Sequence, residues 1–353
     1  MAPGFESIRC AVFQSPAQSH DASDNPLSIL TTVADALRVA AQHGVDAVVF
    51  PELYLSGCSR RQLDRESYEL NIVGNMCEEV NVACVIGYAE KVHESEIKQR
   101  GDPDAEQSIE DAYNSIAAFH ADGSRAGNYR SVSTYDSVDT FRKGYPFVEL
   151  MPIMLRLPKR QTPLESQREI KVGIISGSDI VSPEHCRYLV RCGAQAIFAA
   201  SSFRDNDQDR GIVKYVIPSR ALENQVPVAL ANMETSSKVE LRGAEFLGSS
   251  SIISRDGKYL VSGPEEELGD MPFDEGYLLP CKDGTLYAAD VGYSECAVTN
   301  EGGDRTFGTI QQSIDGWDLI PCMPEVAGAK RKKEKREKIG FGRPRANKTR
   351  RRS

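Results

Sequence analysis

A glutamate and two serines are the residues of this sequence whose types and positions best suit acid–base and nucleophilic chemistry. Glu52 follows Pro51 at the end of one apolar run, and Ser176 and Ser178 flank Gly177 at the end of another. A serine hydroxyl attacks a carbonyl carbon when a base activates it, and the Glu52 carboxylate is a candidate base. Strand alternation places Ser176 and Ser178 on the same face, opposite Gly177. Taken alone, a carboxylate at a strand end is more often solvated or salt-bridged.

Apolar runs with strand-like and helix-like spacing must position these residues. Residues 30–40 have apolar side chains at helical spacing, which predicts an amphipathic helix. An Asp-Gly pair at 256–257 predicts a β-hairpin turn. Nearly continuous apolar strands that alternate with helices predict a layered α/β domain. The predicted strands nearest the candidate residues are IRCAVFQ (8–14), DAVVFPEL (46–53), VACVIGYAE (82–90) and KVGIISGSD (171–179).

Five segments, in this order along the chain, resemble the signatures of the nitrilase superfamily of carbon–nitrogen hydrolases. The resemblance spans about residues 8–292. It implies a four-layer αββα sandwich whose active site holds a Glu as general base, a Lys as the cation that stabilises the tetrahedral intermediate, and a Cys as the attacking thiolate. The segments are VVFPELYLSG (48–57), NYRSVSTYD (128–136), VGIISGSDIVSPEHCR (172–187), SRALENQVPVALAN (219–232) and GSSSIISRDGK (248–258).

The resemblance assigns one retained and two replaced positions in the candidate catalytic site. Glu52 keeps its Pro-Glu context and the base position. The second signature normally reads Tyr-Arg-Lys, and Ser131 occupies its Lys position. The third normally reads Gly, three residues, Cys, an aromatic residue and Asp, and Gly177 occupies its Cys position. Gly177 cannot form a thioester, and loss of a nucleophile can cost about 10^6 in turnover.

These replacements predict a pseudoenzyme, a carbon–nitrogen hydrolase-like protein that has lost thiol-based amide and nitrile hydrolysis and has a binding or scaffolding role. Because Ser131 and Gly177 are smaller than Lys and Cys, the pocket should be wider and more acidic than in the resembled enzymes. Such a pocket suits a small amine or another polar ligand. No cofactor is implied, because the sequence has neither a GxGxxG nor a GxxxxGK[ST] loop, and its five histidines lack the spacing of metal ligands.

An active amidohydrolase with a non-standard nucleophile is the alternative. Ser176 and Ser178 are its candidates, with Glu52 as the base. Cys186 and Cys192 lie on the following predicted helix, where a cysteine is usually a small core residue.

Four polar residues of the closing signature lie among apolar ones. Because buried polar groups are hydrogen-bonded, we predict that they form a structural network near the site. They are Arg220, Glu223, Asn224 and Asn232.

The net charge of −9 divides unevenly along the chain. Lys330–Arg352 has 13 Lys and Arg against Glu334 and Glu337, a net +11, so the remainder has −20. This composition predicts a nitrilase-like domain over 1–326 and a disordered basic tail over 327–353. Clustered basic residues suit an import receptor or nucleic-acid phosphates, so a nucleic-acid-associated protein that acts through the tail is a third hypothesis.

The distribution of apolar residues and the cysteine spacing predict the cellular compartment of the protein. The sequence has no run of about 18 apolar residues and no secretory leader, so we expect no membrane span and an intracellular, cytoplasmic or nuclear location. Nine cysteines without a CxxC pair suit a reducing compartment. The family resemblance implies a homo-oligomer.

Overall fold

A computed structural model shows a mixed α/β body made of two β-sheets and the helices that cover them. It describes residues 5–15, 26–57, 61–93, 96, 112–133, 141–158, 168–234, 245–262, 276–281 and 283–294. All of these lie in Met1–Gly303, the first of two compact units. The predicted tail over 327–353 and the predicted boundary at residue 326 lie outside the described residues.

The first sheet has seven strands, and its centre is parallel. In chain order these strands are β1 Phe5–Gln14, β2 Ala47–Val49, β3 Ala83–Lys91, β4 Ala112–Phe119, β5 Arg125–Arg130, β12 Gly276–Cys281 and β13 Gly284–Ser294. Their order in the sheet is β12-β13-β1-β2-β3-β4-β5. β2 pairs in parallel with both β1 and β3, so the chain leaves β2 toward the edge of the sheet where Glu52 lies.

The second sheet has six strands in the order β11-β10-β9-β8-β7-β6. β7, β8 and β9 are parallel, so the residues that follow them meet at one edge of this sheet. The strands are β6 Ile153–Arg156, β7 Glu169–Ser176, β8 Ala196–Ser201, β9 Val228–Asn232, β10 Ser251–Ile253 and β11 Tyr259–Ser262. β10 and β11 form the hairpin predicted from the Asp-Gly turn.

Seven α-helices are described. The second begins at Tyr68, where the Ser67 side chain accepts a hydrogen bond from the Leu70 N–H. No described helix is long and apolar enough to cross a membrane. The helices are α1 Pro26–Gln42, α2 Tyr68–Val80, α3 Pro146–Glu149, α4 Gly177–Ile180, α5 Pro183–Arg191, α6 Asp207–Gly211 and α7 Ile217–Asn224, with a π-helical turn at Ile212–Val216 before α7.

Alternate side chains of β1 show how the layers stack. Ile8 and Val12 belong to a buried cluster that contains residues of both sheets and of α5 and α7. Phe13 belongs to a second cluster, formed with α1 and α2. Since neighbouring strand residues point to opposite faces, one face of the first sheet packs on the second sheet and the other on α1 and α2. The predicted αββα sandwich is therefore confirmed.

A buried ion pair ties β3 to β5. Glu90 is 1% exposed, and its carboxylate accepts hydrogen bonds from Arg130 Nη2 at 2.5 Å and Ser115 Oγ at 2.6 Å. Burial acts to raise the pKa of Glu90, but the hydrogen bonds from Arg130 and Ser115 overcome that effect and lower it. The middle residue of the Tyr-Arg-Ser segment therefore has a structural role.

Candidate functional site

The turn after β2 presents Glu52 at the edge of the first sheet. Leu53 adopts a left-handed conformation with φ 55°, which reverses the chain directly after the glutamate. The turn packs on Gly87 of β3. A Cβ at Gly87 would lie 2.5 Å from the Leu53 nitrogen and 2.6 Å from the Pro51 oxygen, closer than nonbonded atoms approach. A glycine at residue 87 is therefore required for Glu52 to hold this position.

Among the described residues, Asn114 and Ser202 donate side-chain hydrogen bonds to the buried Glu52 carboxylate. Glu52 is 7% exposed. Asn114 Nδ2, from β4, donates to Oε1, and Ser202 Oγ, directly after β8, donates to Oε2 at 2.9 Å. The sequence interpretation missed both partners. Asn114 had a detectable signal, because it is a polar residue in an otherwise apolar strand and a buried polar group must find a partner.

Gly177 begins α4 with its missing side chain directed at Ser201. An ideal Cβ on Gly177 would lie 2.6 Å from Ser201 Cβ and 3.2 Å from Ser201 Cα. The same Ser201 accepts a hydrogen bond from the Glu52 N–H through its carbonyl, at 3.3 Å. The predicted base and cysteine positions thus meet at Ser201, and this residue occupies the direction in which a side chain from position 177 would project.

Ser131, which we predicted at the lysine position, lies in a cluster of hydroxyls. Its Oγ is 2.9 Å from Asp179 Oδ2, 3.0 Å from Ser176 Oγ and 3.2 Å from Ser178 Oγ. Ser176 and Ser178 have their hydroxyl oxygens 3.0 Å apart, so they share a side as predicted, although Ser178 lies in α4 and not in a strand. Ser176 Oγ also donates to Asp179 Oδ2 at 2.8 Å. Ser178 Oγ donates to the Ser133 carbonyl oxygen at 3.2 Å, so both serines suggested as replacement nucleophiles are engaged in this cluster.

The Asp179 carboxylate is fully buried and joins the end of β5 to the start of α4. Burial, followed by the negative charge of Asp179, raises the pKa of Tyr129 well above its ordinary value, so the phenol remains a donor. With its lone pairs occupied by protein donors, Asp179 acts as a structural acceptor. The donors are Tyr129 Oη, Ser131 Oγ, Ser176 Oγ, the Val132 N–H, and both the N–H and the Oγ of Ser133.

Cys186 lies fully buried in α5. Burial raises the pKa of its thiol to about 12, so the nucleophilic thiolate is not formed near neutral pH. Cys192 lies at the C-terminal end of the same helix and is half-buried. The structure gives Cys186 the properties of a core residue.

The polar residues of the closing signature form two hydrogen-bonded groups, and the first surrounds Arg220. Its guanidinium donates to the carbonyl oxygens of Ile180 at 3.0 Å and Val181 at 2.7 Å, which fixes the chain after α4. Arg220 Nη1 pairs with Glu223 at 3.0 Å, and Asn224 Nδ2 donates to the Arg220 carbonyl oxygen at 2.9 Å.

Asn232 belongs to a second group, whereas the sequence suggested one network of four residues. Its Oδ1 accepts from Ser201 Oγ at 2.9 Å and from the Phe203 N–H at 2.8 Å, and its Nδ2 donates to the Gly248 carbonyl oxygen at 2.6 Å. Asn232 therefore fixes Ser201, the residue that opposes Gly177. Within the described ranges, no group of three or more His, Cys, Asp or Glu is placed to hold a metal ion.

Sequence and structure comparisons find relatives for most of the chain. Residues 9–274 match the profile of the carbon–nitrogen hydrolase family. A Pseudomonas protegens protein described as "Hydrolase in pqqF 5'region" is 24% identical over 273 residues, which cover 75% of this chain and 82% of that protein.

The similar solved structures include an amidase from Nesterenkonia. One structure of this amidase has a TM-score of 0.58 at 18% identity and covers 87% of this chain and 96% of its own. A variant, described as belonging to the nitrilase superfamily, has a TM-score of 0.56 at 19% identity, with 80% and 90% covered. Another variant, with a TM-score of 0.57 at 18% identity and 80% and 89% covered, is described as showing covalent addition of the acetamide moiety of fluoroacetamide at the active-site cysteine. These likenesses concern the fold.

Proposed function

This chain belongs to the carbon–nitrogen hydrolase family, and from that premise we propose that it is a non-catalytic member whose inherited pocket binds a ligand without hydrolysing it. The observation behind this proposal is the packing of Gly177 against Ser201. An ideal Cβ on Gly177 would lie only 2.6 Å from the Cβ of Ser201. Where the family has its nucleophile, this protein has neither a side chain nor the space for one.

Thiol-based hydrolysis of a carbon–nitrogen bond needs a nucleophile and a group that stabilises the oxyanion. In the Nesterenkonia amidase the acetamide moiety is described as adding to a cysteine. Here Gly177 replaces that residue type, and Ser131 replaces the cation. The Ser131 hydroxyl donates within the Asp179 cluster, so it does not supply the lost positive charge. Of the three expected catalytic side chains, only the Glu52 carboxylate remains.

A second candidate function has one specific contact in its favour. Ser202 Oγ lies 2.9 Å from Glu52 Oε2, a distance at which a base can take a proton from a nucleophile. This contact supports an active amidohydrolase that uses Ser202 in place of Ser176 or Ser178. The replacement of the lysine by Ser131 argues against an active amidohydrolase, because an attacking serine also needs a group that stabilises the developing oxyanion.

Ammonia release from the full-length protein separates the two functions. Acetamide, propionamide and propionitrile are the test substrates, and a Glu52→Gln/Ser202→Ala double variant sets the baseline. Ammonia release by the wild type that equals release by the double variant supports the non-catalytic proposal. Release above baseline that falls with Ser202→Ala and with Glu52→Gln, but not with the surface control Ser182→Ala, overturns it in favour of a serine amidohydrolase.

The homo-oligomer, the intracellular location and the role of the basic tail remain predictions. If the tail binds nucleic-acid phosphates, the full chain should be retained on an immobilised polyanion. High salt and deletion of residues 330–353 should each abolish that retention. A fluorescent fusion that localises identically with and without those residues would contradict nuclear targeting.

A further inference from the structure

We propose that His120 is an acid-sensitive link between the two sheets: its neutral imidazole holds the β4–β5 turn (residues 120–124) against β6, and protonation of the ring releases the turn. This inference does not rest on the proposed function. The turn closes one end of the β4–β5 hairpin, whereas Asn114 and Ser131 lie at the opposite end, near the start of β4 and directly after β5.

The contact behind the inference joins the His120 ring to the backbone of β6. The Arg156 N–H donates to His120 Nδ1 at 3.0 Å, and the Ala121 N–H donates to the Arg156 carbonyl oxygen at 3.0 Å. A backbone N–H can only donate, so Nδ1 must be without a proton for the first of these bonds to form. Protonated imidazole has an N–H on both nitrogens, so at Nδ1 two donors would then face each other.

The Arg156 side chain adds two further contacts to the turn. Its Nη1 pairs with Asp122 Oδ2 at 2.6 Å, and its Nη2 donates to Ser124 Oγ at 2.6 Å. Asp122 and Ser124 are exposed, whereas His120 is 9% exposed. Because water competes with exposed ion pairs, these contacts contribute little, and the buried bond to His120 Nδ1 is the costly one to lose.

Three charged groups face His120 and influence its protonation. They are Arg156 of β6, Asp122 of the turn, and Glu169 of β7, which is the register partner of Arg156. Burial of the ring, followed by the positive charge of Arg156, lowers the pKa of His120 below its ordinary value, although the two carboxylates act in the opposite direction.

The direction of this pKa shift means that the neutral ring is the form that stabilises the fold. The unfolded chain takes up the proton first as pH falls. The contribution of His120 to stability is therefore complete above the ordinary histidine pKa of about 6.5, decreases as pH falls below that value, and is lost once pH is below the folded pKa. The link should accordingly hold at neutral pH and open on acidification.

Hydrogen exchange of the full-length protein, followed by peptide mass spectrometry, tests the link. Exchange is measured from about pH 7.5 to about pH 5 and corrected for the intrinsic effect of pH on exchange. We expect the peptides that cover residues 119–125 and 153–157 to lose protection about two- to tenfold on acidification, which corresponds to the net worth of one hydrogen bond.

His120→Asn separates titration from packing. Asn Oδ1 and His Nδ1 are both bonded to Cγ, so the variant keeps an acceptor at this place but does not titrate. Its two peptides should keep the same protection at every pH. His43→Asn is the matched control, because His43 is exposed, lies after α1 and contacts the Val39 carbonyl oxygen, so the wild-type response of the turn should persist.

Nitrogen NMR of the histidine-labelled wild type reads the tautomer directly. The His120 signals are those missing from His120→Asn, and at about pH 7.5 they should show a proton on Nε2 and none on Nδ1. A proton on Nδ1 at that pH overturns the inference. Protection of the two peptides that does not change with pH in the wild type overturns it as well, as does an equal loss in His120→Asn.

Discussion

Gly177→Ala should destabilise the protein although it adds only one methyl group. Gly177 does not have positive φ, so its backbone accepts an alanine and the penalty is steric. The new Cβ would lie 2.6 Å from Ser201 Cβ, and ordinary contact begins near 3.4 Å, so the two carbons must separate by roughly 0.8 Å. Overpacking of this kind in a close-packed interior costs about 1–3 kcal/mol.

A double-mutant cycle isolates this contact. In a Ser201→Gly background the Cβ is gone and the nearest Ser201 atom is Cα at 3.2 Å. The cost of Gly177→Ala should therefore shrink by about 1 kcal/mol or more. Gly211→Ala is the control, since its added Cβ meets nothing within 4 Å and should stabilise by about 0.5–1 kcal/mol. Urea unfolding gives each free energy. A Gly177→Ala protein as stable as Gly211→Ala would refute the claim that Ser201 fills the nucleophile position.

The remaining predictions concern the altered site positions, the buried Arg130–Glu90 pair and Cys186. Gly177→Cys/Ser131→Lys should restore no ammonia release from propionamide, because a Cys at position 177 would project into Ser201; release at the rate of an active amidase would contradict this. Arg130→Met should cost about 1.5–3 kcal/mol in the free energy of unfolding, since it removes a charged hydrogen-bond donor from the buried Glu90, which keeps its ion pair with Arg65. The lowered pKa of Glu90 contributes stability that is present above the ordinary carboxyl pKa and is lost as pH falls through its folded value, so urea midpoints of the wild type should drop on acidification more than those of Arg130→Met. Cys186, with its pKa raised to about 12, should resist iodoacetamide at pH 8 in the folded protein and react in urea, as read by peptide mass spectrometry.

Sequence reasoning identified the fold because the strands and the family signatures are local patterns, and the altered positions remain predictions. Alternating apolar residues in β1 encode a strand buried on two faces, and the Pro-Glu context of Glu52 fixes the alignment of the first signature. The replacements at Ser131 and Gly177 follow from residue order alone.

The partners of Glu52 could not be found in that way. Asn114 and Ser202 come from two different sheets, 62 and 150 residues away along the chain, and no spacing rule links them to the glutamate. The packing of Ser201 on Gly177 depends equally on the relative placement of β7 and β8. The sequence placed the serines at 176 and 178 on one side, but only the tertiary structure shows that Ser176 donates to Asp179 and Ser178 to the Ser133 carbonyl oxygen.

The donors that surround Asp179 have a consequence for judging which members of such a family are active. An aspartate that holds β5 against α4 contributes to folding, whether or not the neighbouring residue can attack a carbonyl. In a member without catalysis, replacing the nucleophile would leave these hydrogen bonds intact, whereas replacing this acid would break them. A degenerate member would then still resemble a working enzyme across most of its signature, so annotation by overall similarity would overcount active hydrolases.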